Sequence, residues 1–318
     1  MSEHFIKEIE IKNFKCFEDF KAEGFGRVNL IGGKNNVGKT AFMEALAVNV
    51  HAKDILTLFT AINIVTFQRN KLEKNRDIKE DFKNIKEYAS TTNLKTIAYN
   101  LKNEDGKIEY CFKIDKKEAD INSNEFSYQI KKIDNIYFLD NFGFDNYWLK
   151  EVYKSVQRKD KEEILYKYIN EFDDNVEKFK IMGGESPECK LKGKNKYREI
   201  NEFGYGLKHY ISIICALYAC ENGYLFIDEI DNGIHYTQLD KLWEIILTIS
   251  KEQNVQVFAT THSKECIESF NRVQEKLEDK DTYYSEMIKN IKTNKIFMRI
   301  LDSNQLDYEL THKGEFRG

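Results

Sequence analysis

Gly33, Gly38, Lys39 and Thr40 stand in the order Gly-x4-Gly-Lys-Thr within "GGKNNVGKT", residues 32–40. Glycines at both ends of a short loop let backbone N–H groups turn inward around an anion, and a helix beginning at Lys39 adds its dipole. Residues Gly33, Lys34, Asn35, Asn36, Val37, Gly38, Lys39 and Thr40 are therefore expected to cradle a triphosphate. Lys39 would reach the β- and γ-phosphates, and the Thr40 hydroxyl would ligate Mg²⁺.

A second group of chemical residues lies in "YLFIDEIDNGIHY", where Asp228 and Glu229 close an apolar run. An acid at the end of a buried strand is costly unless a cation or donor meets it. Asp228 is expected to orient the metal and its waters. Glu229, pointing to the other side of the chain, would polarise an attacking water. His262 ends the next apolar run, in "ATTHS", where it could bond the γ-phosphate and report its loss. Lys190, Lys192, Lys194, Lys196 and Arg198 alternate in "KLKGKNKYR" with no acid between them. If extended they share one face and could follow a DNA or RNA backbone. An exposed edge strand guarded by lysines is the plainer alternative.

The elements needed to position these groups are legible as alternating patterns. "RVNLI" reads as the strand before the cradle and "AFMEALAVNV" as the helix after it. "FIKEIEIKNFKCFEDF" alternates like a half-buried strand. Residues 68–90 are charged and read as a solvated helix or loop, 94–133 as β-hairpins turning at "NEDGK", and 147–180 as helical. From residue 206 onward helix and strand alternate: "GLKHYISIICALYACENG", "YLFID", "YTQLDKLWEIILTISKEQ", "VQVFATT" and "SKECIESFNRVQEKLE". "IFMRIL" and "LDYELTH" read as closing strands. This is an α/β pattern. A single domain 1–318 is expected, with 1–67 and 200–318 forming the nucleotide-binding core and 68–199 an inserted β-hairpin and helical lobe.

Composition narrows the class. The 318 residues are 41% apolar and 32% charged with a net charge of -4, so any nucleic-acid contact would be a local patch. Six cysteines without a CxxC pair read as reduced thiols. "MSEHFIKEIE" has no apolar export signal, and "YISIICALYAC" is shorter than the ~20 residues a bilayer requires. A cytoplasmic location with no membrane contact is expected.

"NVGKT" is also similar to the first box of translational-type GTPases. Asp140-Asn141-Phe142-Gly143 follows the strand "NIYFL" as a second box would, yet it lies far along the chain, and "NKYR" at 195 lacks the base-reading aspartate. Taken together, "IEIKNFKCFEDF", "GGKNNVGKT", "FGYGLKHY", "LFIDEIDNGIH" and "ATTHS" resemble, in that order and over nearly the whole chain, the ABC-type ATPases of the RecF, SMC and OLD group, often labelled AAA-family ATPases. The resemblance implies a P-loop NTPase: an ABC-type ATPase head with a mixed β-sheet core, an antiparallel β lobe and a helical lobe, using ATP and Mg²⁺. It makes the five strings the strand before the cradle, the Walker A loop, the signature, the Walker B strand with its D-loop, and the switch histidine. Gly204, Gly206 and Lys208 would belong to the signature and Asp231 to the D-loop, completing a neighbour's site across a head-to-head homodimer. Gln68 is the candidate Q-loop residue and Lys15 a further site candidate. "FGYGLK" lacks the serine of the transporter signature Leu-Ser-Gly-Gly-Gln, which speaks against a transporter subunit. No heptad arm and no acidic nuclease module is visible. The expected activity is ATP hydrolysis by a head that switches a partner, or a separate effector such as a nuclease, in DNA maintenance or phage defence. A nucleotide-binding scaffold or sensor with little turnover is the alternative.

Overall fold

The computed structural model describes residues 4–51, 96–103, 106–113, 135–184 and 186–312. Its centre is a six-stranded sheet in which β3 (Val28–Gly33), β6 (Ile136–Leu139), β10 (Tyr224–Ile227), β11 (Gln256–Thr260), β12 (Thr282–Lys289) and β13 (Ile296–Leu301) run in the order β13-β12-β3-β11-β10-β6. All neighbours are parallel except β12 and β13. Parallel strands covered on both faces carry apolar residues on both, and period-2 alternation divides them. Leu225, Ile227, Val257 and Ala259 face one core with Val28 and Leu30. Phe226, Phe258 and Phe138 face the other with Ile31. The three phenylalanines stack across adjacent strands, Phe226 lying 6.2 Å from Phe138 and 5.8 Å from Phe258, and each buried ring contributes about 1.5–3 kcal/mol.

Helix α1 (Lys39–His51) covers the phenylalanine face together with β1 (Glu8–Phe14) and β2 (Phe17–Glu23). Those strands form an antiparallel sheet, β2-β1-β4-β5, with β4 (Thr96–Asn103) and β5 (Gly106–Lys113). In the antiparallel pair β4–β5, Asn103 stands opposite Gly106, both in the "NEDGK" string; the other residues of 94–133 read as hairpins fall outside the described set.

The opposite face carries α2 (Asn146–Arg158), α3 (Glu162–Phe172), α4 (Tyr205–Ala219), α5 (Leu239–Glu252) and α6 (Lys264–Lys276). Asp145 caps α2 by accepting from Trp148 N, and Ser263 caps α6 by accepting from Cys266 N. Helix α4 is buried almost all round, packing on α2 and α5, which accounts for the unbroken apolar run within it. Among the described residues no helix is long and apolar enough to cross a membrane.

Three expectations change. The stretch 68–199 is not wholly an insertion, because β6 within it is the edge strand of the core sheet, paired in register with β10. Residues 176–182 are not helical: β7 (Val176–Met182) and β8 (Ser186–Leu191) form a hairpin extended by β9 (Tyr197–Glu199), with Gly183 and Gly184 at φ +58° and +79° in its turn. "LDYELTH" lies in a helix, α7 (Ser303–His312). Asp302 Oδ1 accepts from Gln305 N, and Gln305 Oε1 accepts from Asp302 N, a reciprocal cap that starts the helix. The period-2 apolar spacing of Leu306, Tyr308 and Leu310 is incidental; Leu306 alone among them is buried.

Candidate nucleotide site

Strand β3, held between β11 and β12, delivers the loop 33–38 to the carboxyl end of the sheet, where ligands of open α/β sheets bind. Gly33 and Gly38 adopt φ +135° and +108°. A Cβ on Gly33 would lie 2.4 Å from Met287 O, and one on Gly38 2.7 Å from Cys16 Sγ. The loop is thus pressed between β12 and the β1–β2 turn, where only glycine fits. Helix α1 then begins at Lys39, and its first N–H groups have no intrahelical acceptor. Phe42 N closes the first turn on Gly38 O at 2.9 Å.

The Lys39 ammonium is folded onto its own loop. It donates to Gly33 O (2.7 Å) and Lys34 O (3.0 Å) and sits 3.2 Å from His262 Nδ1. Burial lowers its pKa to about 8, against the opposing pull of Asp228 and Glu229. An ammonium held by carbonyls in this way is poised to exchange them for phosphate oxygens.

Asp228 follows β10. Thr40 Oγ1 donates to its Oδ2 at 3.1 Å and Thr260 Oγ1 to its Oδ1 at 2.6 Å. Burial raises the pKa of this carboxyl, while the two hydroxyls and His262 oppose the shift. A buried carboxylate beside a hydroxyl at the start of α1 offers two hard oxygen donors to a cation that its own burial makes welcome. That donor set fits Mg²⁺, which completes its shell with waters and phosphate oxygens. Among the described residues no cluster of three or more His, Cys, Asp or Glu would cage a metal with protein groups alone.

Glu229 adopts φ +51°, a left-handed conformation that is costly for a residue with a side chain. Its N–H donates to Thr260 Oγ1 at 2.9 Å. Its Oε2 accepts from Asn141 Nδ2 at 3.4 Å, and its Oε1 lies 3.9 Å from His262 Nε2. Burial and the Lys39 charge lower the His262 pKa, so the ring is neutral near pH 7. With Nδ1 accepting from the lysine, the remaining proton resides on Nε2, on the side of Glu229.

The residues read from the sequence therefore divide. Residues 33–40, Asp228, Glu229 and His262 meet at one place. Asp231 accepts from Thr261 Oγ1 at 2.5 Å, so its carboxylate is held within its own chain. Gly206 packs on the loop after Asp231, where a Cβ would lie 1.9 Å from Gly233 O. Gly204, at φ +89°, precedes α4, and Lys208 Nζ donates to Asn146 Oδ1 at 3.5 Å. Lys15 pairs with Glu44 of α1, its ammonium 5.4 Å from the Phe14 ring, so it braces the helix. Gln68 lies outside the described residues.

The basic run does not form one face. Lys190, near the end of β8, stands opposite Tyr197 and pairs with Glu177 at 3.1 Å, whereas Arg198 stands opposite Cys189 and lies 3.8 Å from Glu202. Between them the chain turns at Gly193, φ +66°. The register puts Lys190 and Arg198 on opposite faces of the hairpin.

Asn141 and the two threonines of "ATTHS" are the contacts the sequence reading missed as site residues. Asn141 follows β6, and only the parallel pairing of β6 with β10 brings it to Glu229. Asn232 Nδ2 donates to Asn141 O at 2.6 Å, joining this segment to the loop after Glu229. Signal for the threonines was present: hydroxyls beside a histidine at the end of a buried strand must find acceptors.

Residues 5–167 and 146–267 match the family described as AAA ATPase domain. The chain is similar to an ATP/GTP phosphatase of Helicobacter pylori, 25% identical over 325 residues spanning 84% of this chain and 88% of that protein. It is 36% identical over 67 residues to the DNA double-strand break repair Rad50 ATPase of Archaeoglobus fulgidus, a match covering 21% of this chain and 6% of that one. In fold it is similar to an SmcHead solved bound to the C-winged helix domain of ScpA, with a TM-score of 0.50 and 12% identity over 94% of this chain and 98% of that one.

Proposed function

We propose, from the premise that this chain belongs to the AAA ATPase domain family and is an ABC-type ATPase of the RecF, SMC and OLD group, that it hydrolyses ATP with Glu229 as the base. The observation that carries this reading is one continuous set of contacts: Thr40 to Asp228, Asp228 to Thr260, and Thr260 to Glu229 N. It ties the phosphate loop to the acidic pair. Residues 33–40 bind the triphosphate through backbone N–H groups, and Lys39 releases Gly33 O and Lys34 O to hold the terminal phosphates. Thr40 and Asp228 would hold Mg²⁺, whose charge neutralises the phosphate oxygens. Glu229 takes the proton of the water that attacks the γ-phosphorus, and ADP leaves with the bridging oxygen. Asn141 orients the Glu229 carboxylate, and the Nε2 proton of His262 faces the departing phosphoryl group.

In this reading two heads close on the nucleotide, with Gly204, Gly206 and Lys208 of one approaching the γ-phosphate of the other. Backbone N–H groups at the start of α4 supply the donors there. Hydrolysis then releases the pair and switches a partner protein. The match to a repair ATPase favours DNA maintenance as the setting, and defence against phage is the second. The similarity to an ATP/GTP phosphatase makes GTP the competing substrate to test.

Phosphate release from wild type and Glu229→Gln, with ATP and with GTP, tests this. Removing a general base is expected to lower turnover by about 10²–10⁴-fold while a longer-lived ATP-bound dimer accumulates in sedimentation. Equal, negligible rates in both proteins would leave a nucleotide-binding scaffold. A Glu229→Gln protein that stays monomeric with ATP would remove the head-to-head arrangement.

A further inference from the structure

One hydroxyl serves both acids. Thr260, 1% exposed, donates through Oγ1 to Asp228 Oδ1 (2.6 Å) and accepts through the same oxygen from Glu229 N (2.9 Å). The two neighbours have opposite demands. The Asp228 carboxylate takes a donor from it, and the Glu229 amide, at φ +51°, takes an acceptor. A hydroxyl is the smallest group able to meet both at once. The strand that carries it is fixed independently: Ile230 N donates back to Thr260 O at 3.0 Å, and Thr261 N donates to Ile31 O at 3.1 Å on the strand leading into the phosphate loop. Thr260 therefore stands between β3, which delivers the cradle, and the loop that delivers both carboxylates.

We propose that Thr260 is a positioning residue that sets the Asp228 side chain and the Glu229 backbone together, coupling metal binding to base placement through a single buried hydroxyl. The proposal rests on the hydrolytic reading above for its catalytic consequence, but not for its geometry. Without the hydroxyl Asp228 keeps Thr40 alone as a hydroxyl donor, and the Glu229 amide loses its acceptor. The left-handed turn at Glu229 would then relax toward ordinary backbone angles and swing the carboxylate away from Asn141 and His262.

Thr260→Val removes the hydroxyl at nearly constant volume, and Thr260→Ser restores it. Three readouts are compared. Half-saturating Mg²⁺ for binding a fluorescent ATP analogue is expected to rise at least about fivefold in the valine variant, and kcat to fall by about 10–100-fold with KM for ATP within about threefold, as for loss of outer-shell support. Hydrogen exchange at the Glu229 amide is expected to accelerate by about tenfold or more as its acceptor is lost. The serine variant should recover all three to within about threefold. A valine variant with wild-type amide protection and Mg²⁺ response would overturn the proposal, as would a serine variant as impaired as valine. Thr260→Cys, a similar volume with a poor donor, serves in place of valine should valine not fold. If wild type itself releases no phosphate, the hydrolytic reading fails while the exchange and Mg²⁺ comparisons still decide the role of Thr260.

Discussion

Gly206→Ala sets a collision against a propensity gain. Alanine is the better helix former, by up to about 1 kcal/mol in a helix interior, and Gly206 lies in the first turn of α4. The new Cβ, however, would sit 1.9 Å from Gly233 O and 2.8 Å from Gly233 C. Both are backbone atoms, so no rotamer change relieves the clash, and α4 and the loop must separate by more than about 1 Å. Overpacking of this kind costs about 3 kcal/mol, leaving a net loss of about 2 kcal/mol. At about 2.1 cal/mol/K per residue, a chain of 318 residues loses roughly 3 °C of Tm for that amount. The loop cannot retreat freely, because Asn232 is fastened to Asn141, which in turn touches Glu229. Phosphate release should therefore fall by about tenfold, more than the stability change alone would bring. Thermal unfolding and a phosphate assay on the same preparations measure both. Gly204→Ala is the comparison for thermal unfolding: nothing lies within 4 Å of its Cβ, so folding meets only the strain of φ +89°. A Gly206→Ala protein melting at or above the wild-type temperature, with full turnover, would refute the reasoning.

Two further outcomes are expected. Because burial depresses Lys39 from 10.5 to about 8, the unfolded chain holds that proton more tightly than the folded one. The nucleotide-free protein should gain stability as pH rises from about 8 to 10, with the penalty at full strength below 8. Halved for the partial solvation of the ammonium, the gain is about 1 kcal/mol; urea unfolding at the two pH values, compared with Lys39→Met, should show it only in wild type. Arg27→Met should cost about 3–5 kcal/mol, since Arg27 is buried against Asp279, Ser250 and Leu247 O and its loss strands the Asp279 carboxylate. Arg27→Met with Asp279→Leu should recover most of that in the same unfolding assay.

What the sequence made legible was local. The strand, glycine loop and helix around residues 28–51 are contiguous, so spacing alone defines them, and Asp228-Glu229 stands out because two acids end an apolar run. What escaped depends on distant pairing. "NIYFL" is legible as a strand, but its place in the core sheet is not, because β10, far along the chain, must lie beside it. Asn141 then becomes a neighbour of Glu229, whereas in sequence it looked like part of a GTPase box. The five alternating basic residues were misleading for the opposite reason: the pattern was real, but Gly193 turns the chain in its midst, and alternation means one face only in an unbroken strand. The closing helix was lost to a false period of two, with the cap formed by Asp302 and Gln305 as the overlooked signal.

The central position of β3 has a consequence for how the molecule is made. Its two neighbours, β11 (Gln256–Thr260) and β12 (Thr282–Lys289), are encoded far downstream of it. At about 5–20 residues per second, a ribosome takes roughly 10–50 s between extruding "VNLIGG" and extruding the strands that shelter it. Throughout that interval the nascent phosphate-loop strand has neither edge paired with its final partners. A chain stalled before residue 256 would emerge with an apolar ribbon and no nucleotide pocket, and would fall to chaperones or proteases.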